Sequence, residues 1–146
     1  WIIYVSLNAA CALCYWLGGM SPFDAICYSF GTVATGGAAP HDASFGYYSS
    51  PVLKSTAIIF MILGGISFNL HFIAFFARRF LYFKDAELRF YMALLSLMLV
   101  AIWGGLFLFE LPQKYPSFID TLFTLISLST TTGFTTVDFS LWPRFI

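Results

Sequence analysis

Apolar and polar residues fall along this chain in long blocks, not in the short rhythm of a soluble amphipathic helix. Three blocks, residues 2–19, 52–77 and 90–111, stay apolar over the roughly 20 positions that a helix needs to cross a hydrocarbon core of about 30 Å. Each predicts a membrane-spanning helix, and the middle one is long enough to tilt or project. Two shorter blocks, 23–33 and 118–128, reach only about 17 Å as helix. Each runs straight into small and hydroxyl residues, "TVATGG" at 32–37 and "STTTGF" at 129–134. Polar backbone at membrane depth is tolerated only where protein or water surrounds it. These blocks therefore predict half-helices that enter the membrane and turn back.

Both half-helices open in the same way. Ser21-Pro22-Phe23-Asp24 supplies an N-cap hydroxyl, a proline at the first helical position and a carboxylate at the third. Ser117-Phe118-Ile119-Asp120 repeats the Ser and the Asp, just after Pro116. Aligned on Thr35-Gly36 and Thr132-Gly133, the two segments form an internal repeat, with Asp42 and Asp138 within one residue of register. The unit reads as span, half-helix, polar run and return span. The sequence holds one whole unit and most of a second.

Composition agrees with a bilayer. Of 146 residues 60% are hydrophobic and 10% charged, against about 25% charged in soluble domains. Seven basic residues balance seven acidic ones, which removes electrostatic support for nucleic-acid binding. The opening at Trp1 has no basic leader, so no signal peptide is expected, and a new apolar run at Ile146 suggests a piece of something longer. Four of the seven basic residues, Arg78, Arg79, Lys84 and Arg89, share one loop, which predicts a cytoplasmic loop over 78–89. Both half-helices then dip in from the outside. Asp24, Asp42, Glu110, Asp120 and Asp138 fall on that outer side, where Tyr47, Tyr48 and Trp142 suit an interfacial belt.

The polar runs carry the candidate chemistry. A helix ending near mid-membrane aims its negative end there. If the chain then extends, glycine opens conformations denied to other residues, and carbonyl oxygens can replace a cation's water shell. Thr hydroxyls add acceptors, and Asp42 and Asp138 at the mouth could concentrate cations. Against this stand ordinary turns and caps, a secondary transporter with broken helices carrying another cation or small solute, and a membrane-embedded enzyme using His41/Asp42 or His71. No nucleophile-and-base or metal-ligand set supports the enzyme, and no organic cofactor is expected. Cys11, Cys14 and Cys27 read as small hydrophobes. Asn69 and His71 read as packing hydrogen-bonders, and the glycine pairs 18–19, 64–65 and 104–105 as close helix contacts.

"SPFDAICYSFGTVATGGAAPHDAS", "FMILGGISFNLHF" and "DTLFTLISLSTTTGFTTVDFSLWP" closely resemble the Trk-type members of the Trk/Ktr/HKT superfamily of potassium transporters over essentially the whole chain. The resemblance implies an all-α membrane protein of helix–re-entrant pore loop–helix repeats, potassium-channel-like, with four repeats around one pore. Residues 1–79 look like the complete second repeat, 80–89 like a cytoplasmic connection, and 90–146 like the first helix and pore loop of the third. Gly36 and Gly133 match the filter glycines. Ala34, Thr35, Gly36 and Gly37, with Thr131, Thr132, Gly133 and Phe134, match the positions whose carbonyls bind potassium. The resemblance further implies potassium uptake without enzymatic catalysis, a bacterial inner-membrane location, a homodimer, and assembly with a cytosolic nucleotide-binding regulatory subunit. It places the family's gating loop beyond Ile146.

Overall fold

Residues 1–76, 85–108 and 117–136 are described by the structure, a computed structural model, and every described regular element is helical. The first helix, α1 (Ile2–Leu17), ends at Gly18-Gly19, where Gly19 takes φ +101° and the Met20 N–H reaches back to the Tyr15 carbonyl. That conformation suits glycine, which has no Cβ to clash. The chain reverses into α2 (Pro22–Val33), whose N-terminus is built as the sequence predicts: Ser21 Oγ accepts from the Asp24 N–H at 3.1 Å. A loop with a single 3₁₀ turn at Ser44–Tyr47 leads to α3 (Pro51–Gly65).

Here the structure departs from the expected continuous span over 52–77. The helix breaks at Ile66-Ser67 and restarts as α4 (Phe68–Phe76). Ile66 is extended at ψ 142°, and the Ser67 carbonyl receives the N–H groups of Leu70 and His71. Two glycines ahead of the break weaken the helix by about 1 kcal/mol each relative to alanine. They also buy close packing, as their spacing suggests. A Cβ on Gly64 would come 2.7 Å from the Val33 carbonyl oxygen, and one on Gly65 3.3 Å from Thr130 Cγ2. His71 repairs the break, its Nε2 lying 2.9 Å from the Leu63 carbonyl.

The long helix α5 (Ala86–Leu108) contains a 20-residue apolar stretch, Ala86–Gly105, long enough to cross a bilayer; among the described residues it is the one helix that is. At 1.5 Å per residue α1 and α3 reach about 24 and 22 Å. Among the described residues nothing lies within 4 Å of a Cβ at Gly104, so no close contact is seen there. Last comes α6 (Phe118–Ser129), the second half-helix. Its entry differs from that of α2, because no side chain caps it and the Ser117 backbone carbonyl receives Asp120 and Thr121.

The core lies where the two half-helices meet. Phe45, fully buried in the loop between α2 and α3, sits between Tyr15, Tyr28, Phe123 and Phe134, at ring-centre distances of 5.1–5.9 Å. Four aromatic neighbours at these spacings give a dense, dispersion-rich centre. That centre joins α1, α2 and α6 under one loop. Cys11 packs in it as a hydrophobe, and all three cysteines are free thiols.

Candidate functional site: two capped half-helix ends

The half-helices end identically. After α2 the Thr35 N–H reaches the Thr32 carbonyl, and the Gly36 and Gly37 N–H groups both reach the Gly31 carbonyl, at 2.9 and 3.2 Å. After α6 the Thr131 N–H reaches Leu128, and Thr132 and Gly133 both reach Ser127, at 2.8 and 3.2 Å. These are Schellman caps, which need a left-handed residue just past the helix. Thr35 (φ 49°) and Thr131 (φ 58°) take that role, and Gly37 (φ 61°) and Gly133 (φ 82°) are left-handed two residues later. For a β-branched residue this conformation costs about 1–2 kcal/mol. Glycine does not carry the unusual backbone alone: a threonine shares it in each loop.

These pairs fix the register of the repeat. Ser21 pairs with Ser117, Thr35 with Thr131 and Gly37 with Gly133, an offset of 96 residues throughout. Alignment on Gly36 and Gly133 is one residue out, because the sequence offers two adjacent glycines and only the backbone says which is left-handed. Gly36 is the counterpart of Thr132. In this register Asp42 and Asp138 correspond directly, although Asp138 and Trp142 lie outside the described residues.

Peptide planarity orients the carbonyls. No described peptide is cis, so each C=O points away from the following N–H. The N–H groups of Thr35, Gly36 and Gly37 turn inward on the end of α2. The oxygens of Ala34, Thr35 and Gly36 therefore turn away from it. The same holds for Thr130, Thr131 and Thr132 at the end of α6. The next oxygen but one turns back. Ser127 Oγ donates to the Phe134 carbonyl at 2.8 Å, and a Cβ on Gly31 would lie 2.6 Å from the Ala38 oxygen. Phe134 thus differs from its expected place among outward carbonyls, and its ring belongs to the core.

The two loops touch. A Cβ on Gly37 would overlap the Thr132 carbonyl oxygen outright, so the bare α-carbon makes room for the neighbouring strand. Further out, the Gly46 N–H donates to the Thr135 carbonyl at 2.9 Å, and the Thr135 N–H to Ser44 Oγ at 3.3 Å. Inside, Thr32 Oγ1 bonds both Tyr15 Oη at 2.7 Å and the Tyr28 carbonyl, and Thr130 Oγ1 meets Thr132 Oγ1 at 2.8 Å. The hydroxyls near the loops hold backbone in place.

At the start of α2, Asp24 accepts from Tyr48 Oη at 2.6 Å and lies 3.3 Å from His41 Nε2, while His41 stacks on Tyr47 at 3.9 Å. The Tyr48 hydroxyl, and then His41, hold the Asp24 carboxyl below its ordinary range, and burial with the adjoining carboxylate pushes the Tyr48 phenol up. His41 faces Asp24 here; Asp42 is exposed. No group of three or more His, Cys, Asp or Glu able to hold a metal ion occurs among the described residues.

A family model described as "TrkH: Cation transport protein" matches residues 1–146. The chain belongs to the TrkH family of cation transport proteins. The TrkH potassium uptake protein of Vibrio parahaemolyticus is 41% identical over 150 residues, covering 100% of this chain and 31% of that protein. That of Escherichia coli K12 is 39% identical over 151 residues, with the same coverage. The crystal structure of the V. parahaemolyticus potassium transporter TrkH superposes with a TM-score of 0.91 at 40% identity, over 99% of this chain and 32% of that one. This TrkH-family chain is thus a helical membrane protein spanning about a third of the length of these relatives. Its relatives are named as transporters, a non-enzymatic class.

The residues that sequence reasoning passed over are those holding the loops. Gly31 and Ser127, small at matching positions, were a legible signal. So was Lys54, a lone cation opening an apolar helix.

Proposed function

We propose that this chain forms part of a potassium uptake protein, and that its two polar loops are two of the strands lining a selective cation passage. One observation carries the reading. Two capped half-helix ends, alike in every backbone hydrogen bond, meet so that Gly37 is seated against the Thr132 carbonyl. Oxygens from both loops then face one region, beneath the negative ends of two helices, as removing a cation's water requires. The coordinating set is the main-chain oxygens of Ala34, Thr35, Gly36 and Gly37 with those of Thr131, Thr132 and Gly133, and Gly37 and Gly133 are the equivalent filter glycines. Among the described residues nothing lies within 4 Å of a Cβ at Gly133. In a ring of such loops it is the seat for the next one, supplied by the rest of the protein.

In this reading residues 1–79 are one repeat and 90–146 part of the next, joined by a cytoplasmic segment at 80–89. Support for that side is the cluster Arg78, Arg79, Lys84 and Arg89. The loops then open to the outside, with Asp42 and Asp138 at the mouth. The family likeness extends the proposal to the bacterial inner membrane, a homodimer, cation-coupled (symport) uptake and a cytosolic nucleotide-binding partner.

The break between α3 and α4 is the one feature that favours a broken-helix secondary transporter. Its freed Leu63 carbonyl, however, is taken by Ile66 and His71 within the protein rather than offered to a passenger. The test is rubidium uptake by the full-length protein in cells lacking other potassium uptake. Gly37→Leu and Gly133→Leu should each abolish it at normal membrane insertion. Wild-type uptake by both variants would refute the pore.

A further inference from the structure

Asp24 and Asp120 occupy the same place in the two repeats, the third position of each half-helix. Their partners differ. Asp24 is held within its own repeat by Tyr48 and His41. Asp120 is held from the other repeat, by Lys54 in the first turn of α3, at 2.6 Å, with both side chains 13% exposed. A largely buried ion pair contributes little net stability, yet it fixes relative position, because a slip strands a charge.

The helix carrying Lys54 touches both loop-bearing helix ends. Beside Lys54, Leu53 is fully buried, 2.5 Å from where a Gly18 Cβ would lie, which seats the start of α3 under the end of α1. Its far end presses Gly64 on the Val33 carbonyl of α2 and Gly65 on Thr130 of α6. Thr130 in turn meets the Thr132 hydroxyl, and the Thr132 carbonyl rests on Gly37. Contacts therefore run from the ion pair, along α3 and α6, to the junction of the loops. A half-helix about 18 Å long passes a displacement at its start to its end.

We propose that Lys54 and Asp120 are positioning residues for ion discrimination: their pair locks α6 to α3 in one register and so sets how the second loop seats on the first. This rests on the reading of the loops as cation-coordinating strands. It concerns selectivity more than rate, because discrimination between cations depends on oxygen placement.

The full-length protein, in cells without other potassium uptake, supplies the test, with rubidium KM and the rubidium-over-sodium preference normalised to inserted protein. Lys54→Met or Asp120→Asn alone leaves a buried lone charge and can fail to insert. The decisive variant is the double Lys54→Met/Asp120→Leu, which removes the tie without stranding a charge. It should insert normally and lose rubidium preference about tenfold, while Lys54→Arg keeps it. A double variant with wild-type KM and preference overturns the proposal. Gly37→Leu, measured alongside, separates the two readings. If it abolishes uptake while the double variant discriminates normally, the tie alone is refuted; if it and Gly133→Leu both conduct as wild type, the filter reading falls and this proposal with it.

Discussion

A single methyl group, added in turn at three glycines, separates backbone strain from steric overlap at the loop junction. Gly36 has no positive φ and, among the described residues, nothing within 4 Å of a Cβ, and its counterpart Thr132 already carries a branched side chain. Gly36→Ala should therefore stay within a factor of about two of wild type, as unstrained, uncrowded substitutions do. Gly37→Ala combines two penalties. Its left-handed φ of 61° costs alanine about 1–2 kcal/mol, a factor of about 5–30 in the fraction of loops holding the native conformation. Its Cβ would also lie well inside the 3.0 Å that real Cβ atoms keep, against the Thr132 oxygen, so the loops must part. Uptake should fall by more than the strain alone explains, beyond about 30-fold. Gly133→Ala is the informative third case. At φ 82° it carries the strain, but no neighbour among the described residues crowds it. If a further loop seats on Gly133 in the whole protein, its loss should equal that of Gly37→Ala; without one it should show strain alone. Initial rates of rubidium uptake per inserted protein decide the order. Gly36→Ala as damaging as Gly37→Ala, or a wild-type Gly37→Ala, would refute the register and the contact.

Truncating Phe45 to Ala empties the aromatic centre between the repeats and should destabilise the purified protein by about 3–5 kcal/mol in thermal unfolding, with Phe45→Leu much milder. Ser127→Ala removes the hydroxyl that holds the Phe134 carbonyl, a loss of about 1 kcal/mol that should appear as faster hydrogen exchange in residues 131–135 than elsewhere. The Asp24 carboxyl, held low by Tyr48 and His41, contributes stability that is present above its unfolded value and lost as pH falls through its depressed folded one. Tyr48→Phe should move the onset of that acid loss to higher pH, measured as melting temperature against pH; an unchanged onset would show that the hydroxyl does not hold the carboxylate.

The half-helices, the capped start of the first and the polar ends of both were readable in one dimension. Length against bilayer thickness and the Ser-x-x-Asp entry are local properties of 21–37 and 117–133. The matched places of Asp24 and Asp120 in the first turns of the two half-helices were readable too, but not their partners. Tyr48, His41 and Lys54 reach them across 24, 17 and 66 residues, distances over which sequence pattern carries no geometry. The break at Ile66 was hidden because residues 64–68 are all apolar or small, and composition alone cannot separate one long helix from two.

What the sequence settled by itself was the solvent and the repeat: blocks of apolar residues need a bilayer, and two greasy half-lengths ending in hydroxyls need protein around them. The tertiary structure decided which glycine answers which. Whether Gly36 or Gly37 is left-handed depends on which N–H groups the end of α2 can satisfy, and whether a bare α-carbon matters depends on the carbonyl lying against it. Both facts arise only when the two loops are brought together in space.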